Sequence, residues 1–505
     1  MRDSKKRLAT PRSTPMLESL RALGYSTGAA ISDVIDNSIS KKSSLIDIKF
    51  KWDGNGSYIW ILDNGAGMSD SGLEEALNFG AKDPNDQRDA ADLGRFGMGL
   101  KTASLSQCRR LTVFSKEQDG ELSCLRLDLD ELQNEVDGQW FIYEGPSEHS
   151  PVTANPLEEH SSGTLVLWEE LDRVVGTMTA DNFMELIDKV EDHLSVVFHR
   201  YLEGDVPQVK IKINGRQIHP WDPFFGDDMR KPLCTPEVSK GSGAKKVTIQ
   251  SHVLPHRKIL SDDEFDKLSG PDGWISQQGF YIYRNRRLIQ SGGWMGLSNG
   301  SGRRWGREAA YQLARVRIDI TNENDEDWEI DVRKSVARIP AYLRFWIRKY
   351  AEHARDEARR IFIGRGAHES RSHRVDTVNI WKGEVMRGGG VRYKIDRKHP
   401  FISSLLSESG DKKDLFRATL DLIETSVPVE KIWMSMKDQE SEPVDAEVSE
   451  EDLERIEAYV TMMFKQLKIG DREALDQMRE VLMGSEPFCD HGEIVDRIYR
   501  NRLNN

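Results

Sequence analysis

Apolar residues recur at helical spacing early in the chain. Ile31, Val34, Ile35 and Ile39 fall three or four apart, which predicts an amphipathic helix over 27–40, with another over 15–23. The pattern then switches to alternation. LIDIKFKW (45–52) and SYIWIL (57–62) flank the turn DGNG and predict a β-hairpin. A short helix is expected at 71–80, a polar, Gly-rich mobile loop at 80–99, and a helix from 99 to 107. Strands are expected at 110–116, 122–129, 139–143 and 163–168, then one helix over 181–203 opened by Asp181. VKIKING (209–215), just after Pro207, reads as the first strand of a second domain. Strands at 246–253, 279–284 and 313–320 continue it, and a helical run at 341–362 closes it. Gly364 and Gly366 in a polar stretch suggest a hinge near 363–378, and three glycines follow at 388–390. Beyond them lie an acidic linker near 438–451 and helices from 450 on, with no motif that converts into chemistry.

Length and charge narrow the classes. The chain has 505 residues, enough for about three domains of ordinary size. No run approaches the length of a transmembrane helix, so no membrane partner is expected. The basic start MRDSKKRLATPRSTP has no apolar core behind it and does not read as a secretory signal. Cys108, Cys124, Cys234 and Cys489 form no CxxC pair, which suits reduced thiols and a cytoplasmic location. The net charge of −13 is unevenly spread. Residues 281–400 carry 26 basic and 15 acidic side chains, whereas 401–505 carry 13 and 24. The basic middle is either a set of solvated helix faces or a path for DNA.

Three segments carry candidate chemistry. In SDVIDNS (32–38), Asp33 and Asn37 are four apart on a helix and share a face, where a carboxylate and a carboxamide can orient a water and hold a hard cation. In LDNGAGM (62–68), Asp63 sits at a strand's tip. Gly65 and Gly67 behind it permit a tight turn or a close approach to a ligand. In LGRFGMGLKTAS (93–104), Gly94, Gly97 and Gly99 free the backbone before a helix start, which attracts phosphate, and Lys101 adds positive charge. Each segment alone also reads as an ordinary turn or loop. GxxxxGK[ST] is absent, and the Gly-rich run does not follow a strand in a βαβ unit, so neither a P-loop nor a Rossmann fingerprint is present.

In this order the segments closely resemble the GHKL ATPases, the superfamily of gyrase B subunit, heat-shock chaperone, histidine kinase and MutL. The likeness spans about residues 15–205: the helix ending in Asp36-Asn37, the Asp63-x-Gly65-x-Gly67 turn, the Gly94–Gly99 lid, and Gly163-Thr164 entering the strand TLVLW. It implies an α+β fold, a Bergerat-type sandwich of mixed sheet and covering helices. It also implies that Asn37 coordinates Mg²⁺ on bound ATP, that Asp63 accepts from the adenine amino group, and that Thr164 bonds nearby. Gly65, Gly67 and Met68 would lie against the base. Residues 80–99 would form the lid, with Gly94, Arg95, Phe96, Gly97, Met98, Gly99, Leu100 and Lys101 around the phosphates. The superfamily carries Glu at the position held here by Asp33, one methylene shorter, so Asp33 is expected to be an adapted base and hydrolysis slow. Asp36, one residue from Asn37, points elsewhere.

FGMGLKTASL, ALNFGAKDPN (76–85) and GFYIYRNRRLIQSGGW (279–294) resemble the MORC branch and extend the likeness to about residue 345. The resemblance divides the chain into an N-terminal strap (1–14), the ATP-binding domain (15–205), a ribosomal-S5-like transducer domain (206–362) and a mostly helical C-terminal interaction region (363–505). In such a transducer a lysine meets the γ-phosphate. Lys334, in WEIDVRKSVARIP, is the candidate, with Arg333 an alternative and a surface basic pair the plainer reading. Arg284, Arg286, Arg287, Arg303, Arg304 and Arg307 are the candidate phosphate contacts on DNA. Trp294, Trp305 and Trp328 read as core residues, with base stacking the alternative. The function expected is an ATP-gated homodimeric clamp on DNA, in a prokaryotic DNA-modification or anti-phage setting. Two alternatives stand beside it: a nucleotide-sensing module that recruits an effector protein through the C-terminal region, and a protein-remodelling chaperone.

Overall fold

The computed structural model describes residues 13–22, 24–79, 99–134, 139–152, 155–204, 207–226, 230–300, 302–331, 334, 336–363, 380–385, 391–408, 410–427, 450–465, 472–484 and 488–503. Two compact units divide the chain, Met1–Gly366 and Ala367–Asn505. Most of the expected strap, of the lid and of the hinge, and the triple glycine, fall outside the described residues.

The first unit begins with helices α1 (Ser13–Arg21) and α2 (Thr27–Ser40) and the hairpin β1 (Leu45–Lys51) and β2 (Tyr58–Asp63). Helices α3 (Asp70–Leu77) and α4 (Gly99–Gln107) and strands β3 (Arg110–Lys116) and β4 (Ser123–Asp128) follow. Next come α5 (Leu129–Gln133), β5 (Tyr143–Glu144), α6 (Asn155–Glu158), β6 (Gly163–Glu169), α7 (Ala180–Val197) and α8 (His199–Leu202), then β7 (Lys210–Ile213) and β8 (Arg216–Gln217). The strands form one eight-stranded mixed sheet in the order β5-β4-β3-β6-β2-β1-β7-β8.

Alternation decides which face of the sheet is covered. Ile46, Ile48 and Phe50 on β1, and Ile59 and Ile61 on β2, point into a core shared with Ile31, Val34 and Ile35 of α2 and with Phe183, Ile187, Val190 and Leu194 of α7. The opposite face carries Leu62, Phe114, Leu165 and Leu167, roofed by Val152 and Leu157. Helix α2 starts where Ser26 accepts from the Ala29 amide. Helix α7 starts earlier than its acidic residue suggests, because Thr179 and Asn182 make a reciprocal capping box. It stops at Val197, and α8 continues as a separate turn.

One strand belongs elsewhere than its place in the chain suggests. Residues 209–215 do not open the second sheet. β7 pairs in parallel with β1, Ile211 beside Ile46 and Ile213 beside Ile48. Val209, Ile211 and Ile213 complete the first core. Burying such side chains is worth about 1.5–3 kcal/mol each, more than a short connection can outweigh.

The second sheet contains β9 (Leu233–Cys234), β10 (Val238–Lys240), β11 (Val247–Val253), β12 (Gly279–Arg284), β13 (Arg287–Ser291) and β14 (Ala314–Ile320), ordered β10-β11-β14-β12-β13 with β9 on β11. Helices α9 (Asp262–Ser269) and α10 (Gly273–Gln277) precede β12. Helix α11 (Ala341–Ile363) lies on one face. It buries Leu343, Ile347, Ala351, Ala354 and Ala358, three or four apart, with the alanines allowing close approach. Trp294 and Trp328 fill this core and Trp305 packs at its edge, as their core reading expects. On the other face Tyr281, Tyr283, Leu288 and Phe224 cluster, and Tyr283 shares a 2.7 Å hydrogen bond with His199 of α8. The two sheets of the first unit are thus joined through α8.

In the second unit, a hairpin of Trp381–Val385 and Val391–Ile395 packs with helices Pro400–Glu408 and Lys413–Ser426. Helices Glu450–Lys465, Arg472–Met483 and Gly492–Leu503 enclose Val460, Phe464, Leu475, Leu482, Phe488 and Val495. The sequence pattern anticipates the last helices but not the hairpin. Among the described residues no helix is long and apolar enough to cross a membrane.

Candidate nucleotide site

The register of β2 against β6 sets Asp63 opposite Thr164. Asp63 is buried, and both carboxylate oxygens are engaged. Oδ1 accepts from the Gly65 amide at 2.8 Å, and Oδ2 accepts from the Ser38 hydroxyl at 2.8 Å. Burial pushes its carboxyl above the usual carboxylate range, while these donors and the Thr164 backbone oppose the rise. Thr164 Oγ1 lies 2.9 Å from Ser115 Oγ, and the Met68 amide donates to that same serine. Two glycines are required by this packing. A Cβ on Gly67, at φ +71°, would lie 1.9 Å from the Lys116 carbonyl oxygen. One on Gly163, at φ +150°, would lie 2.1 Å from the Asp63 carbonyl oxygen. The glycines therefore fit the turn against neighbouring strands. Gly65 packs instead against the acid and the end of α2, its Cβ position lying 2.9 Å from Asp63 Oδ1 and 3.1 Å from the Lys41 carbonyl oxygen.

One helical turn away, α2 presents Asp33, Asp36 and Asn37. Asn37 is exposed. Asp33 and Asp36 are buried and meet a cation from far along the chain: Lys334 Nζ lies 3.1 Å from Asp33 Oδ1 and 2.6 Å from Asp36 Oδ2. Arg287 adds its Nε to the Asp36 carboxylate at 2.8 Å. Two carboxylates and two cations balance each other in a region with almost no access to water. A tight turn delivers Arg287: Asn285 and Arg286, at φ +47° and +72°, form the two-residue connection between β12 and β13. Lys334 itself sits at φ +50°, a conformation a side chain rarely adopts. Asp33's second oxygen accepts from the Tyr25 hydroxyl at 3.0 Å.

Other expected positions fall differently. Gly99 opens α4 beside Asp33, its Cβ position 3.9 Å from Asp33 Oδ2, and Leu100 packs on the first core. Lys101 is engaged at the end of α3. Its ammonium is buried and donates to the Ala76 and Asn78 carbonyls at 2.9 and 2.7 Å, because the end of α3 offers carbonyls with no helical partner. Gly94, Arg95, Phe96, Gly97 and Met98 lie outside the described residues, as does Arg333. The arginines divide into two groups. Arg284 is buried against Asp325 at 2.7 Å and Arg287 against Asp36, so neither can reach a phosphate backbone, and the reading of both as DNA contacts is corrected. Arg286, Arg303, Arg304 and Arg307 are exposed.

Residues 25–164 match the family described as Histidine kinase-, DNA gyrase B-, and HSP90-like ATPase. That span holds Asp33, Asn37, Asp63 and Thr164 and stops short of the second sheet. No curated protein matches the chain. The donor set suits the ATP binding that this family match suggests. An acceptor is held at a strand tip, and an exposed carboxamide stands one helix away. Among the described residues no group of three His, Cys, Asp or Glu is placed to hold a metal. A lone carboxamide suits Mg²⁺, which takes most of its ligands from phosphate and water. Sequence reasoning missed Tyr25 and Ser38, and assigned Arg287 to the wrong chemistry. Nothing in the spacing of SDVIDNS pairs Ser38 with Asp63, since the bond depends on how α2 lies across β2.

Proposed function

We propose that the chain binds ATP with Mg²⁺ between α2, the β2 tip and α4, hydrolyses it slowly, and uses the cycle to gate a homodimeric clamp on DNA. One observation carries the reading: Lys334, from the segment between β14 and α11, meets Asp33, 301 residues away, at the helix that bears Asn37. Asp63 would accept from the adenine amino group, with Thr164 beside it. Asn37 would hold the magnesium, whose chemistry is to neutralise the phosphates. Asp33 would take the proton of the attacking water once Lys334 turns to the γ-phosphate. Residues 206–362 would act as a transducer of the ribosomal-S5-like kind, and Arg286, Arg303, Arg304 and Arg307 would supply phosphate contacts on DNA. A MORC-like role, including anti-phage defence, rests on the sequence resemblance alone.

A second reading, ATP as a structural ligand that recruits an effector, is favoured by one feature: both Asp33 oxygens already have partners. Phosphate release separates the two. Turnover that disappears in Asp33→Ala supports the enzyme, while tight binding without turnover supports the sensor. Scattering with a non-hydrolysable ATP analogue tests the clamp, which predicts a dimer with the analogue and fails if the protein stays monomeric.

A further inference from the structure

A tyrosine two residues before α2 has a place in this site that its sequence position does not announce. Tyr25 is half-buried in the segment entering α2, and its hydroxyl donates to Asp33 Oδ2 at 3.0 Å. Two neighbours hold the tyrosine. Its side chain shares a hydrogen bond with Thr102 of α4. Its carbonyl accepts from Gln107 Nε2 of α4 at 3.3 Å, and Gln107 in turn accepts from Thr27 at 2.9 Å. The phenol thus bridges the helix that carries the carboxylate and the helix that begins beside it. Burial and the Asp33 charge both raise the Tyr25 pKa, so the hydroxyl stays a donor at neutral pH.

We infer that Tyr25 is a positioning residue for Asp33: it anchors Oδ2 so that Oδ1, the oxygen facing Lys334, is aimed at the reacting centre. The inference rests on the ATPase reading above. The physical need is specific to this chain. An aspartate has a shorter reach than a glutamate, and the efficiency of a base depends on its placement to within about 1 Å. A carboxylate held at one oxygen loses the freedom to rotate its other oxygen away. Lys334 cannot serve as that anchor, because the proposed cycle draws it to the γ-phosphate.

The test uses the full chain and Tyr25→Phe, which removes only the hydroxyl oxygen, with Asp33→Asn as the baseline. Phosphate release gives kcat and KM, and calorimetry with magnesium and a non-hydrolysable ATP analogue gives Kd. The expected result is a fall in kcat of about 10- to 100-fold, with Kd changed less than about twofold and an unchanged melting temperature. An unchanged kcat overturns the inference while leaving the ATPase reading intact. A parallel loss of binding and stability also overturns it, since Tyr25 would then only hold the fold. A wild-type protein that binds the analogue but releases no phosphate removes the hydrolysis reading itself, and the role of Tyr25 falls with it.

Discussion

Asp63 is an acceptor made by its surroundings. Its two oxygens receive the Gly65 amide and the Ser38 hydroxyl, which fix its plane at the end of β2. Asp63→Asn keeps the shape but replaces an acceptor oxygen with a donor, facing the donors that hold it. Adenine-nucleotide affinity is expected to fall about 10- to 100-fold, the cost of a lost hydrogen bond to a charged group. Ser38→Ala removes one neutral donor and should weaken affinity less, by about three- to tenfold. Calorimetry with magnesium and ATP analogue measures both, and equal effects would contradict the division of labour. The acid, its turn and Asn37 were legible in the sequence because motif spacing states them directly. Ser38's bond to Asp63 was not, because it depends on how α2 lies across β2, a tertiary fact. The contacts of Lys101 were hidden for a related reason. A lysine after a glycine-rich run suggests a phosphate, and its spacing does not show that its ammonium donates to two carbonyls at the end of α3.

At the scale of elements, α7 is fastened to α2 by a half-buried histidine. His193 Nε2 lies 3.1 Å from Ser32 Oγ, and its ring fills the space over Gly28, where a Cβ would come within 2.9 Å of His193 Cδ2. Burial, with the nearby Arg287 charge, lowers the His193 pKa from 6.5 to about 4. The sign follows from linkage. The folded value is depressed, so the unfolded chain binds the extra proton first, and the stability owed to neutral His193 is complete above pH 6.5 and is lost as pH falls toward 4. His193→Gln keeps a polar partner for Ser32 and cannot titrate. The gap in unfolding free energy between wild type and His193→Gln should therefore narrow by about 2 kcal/mol from pH 8 to pH 5 in urea titrations. A pH-independent gap would refute the assignment. Gly28→Ala should lower the melting temperature, since the ring must move to admit the methyl group. Most elements were readable: hydrophobic period located α2, α4, β1, β2, β3, β6 and α11 to within a few residues. β7 was misassigned because alternation gives a strand's faces but not the sheet that receives them. The hairpin before residue 400 was missed although Val391, Tyr393 and Ile395 alternate with Arg392 and Lys394, because the strands are only five residues long and the glycines at 388–390 between them read as part of a hinge.

At the scale of the molecule, the first unit is two sheets held by a buried charge cluster as well as by aromatic packing. Asp36 stands on the helix of the nucleotide site, whereas Arg287 and Lys334 come from the second sheet and the segment after it. The ion pairs at the periphery of this junction, Arg200 with Asp319 among them, are partly exposed and contribute little on the general record of such pairs. The cluster differs because its members have almost no access to water. Arg287→Met leaves two carboxylates facing one ammonium and should cost about 3–5 kcal/mol, the penalty for an uncompensated buried charge. Asp36→Asn alone leaves two cations facing one carboxylate and should cost a similar amount. The double variant restores balance through Asp33 and Lys334. It should therefore be more stable than the sum of the single losses predicts, by a coupling of about 1–3 kcal/mol. Urea unfolding of the four proteins at neutral pH measures the cycle. Additive losses would mean that Arg287 and Asp36 are stabilised by separate partners, and that the second sheet has no charge-based hold on the helix bearing Asn37.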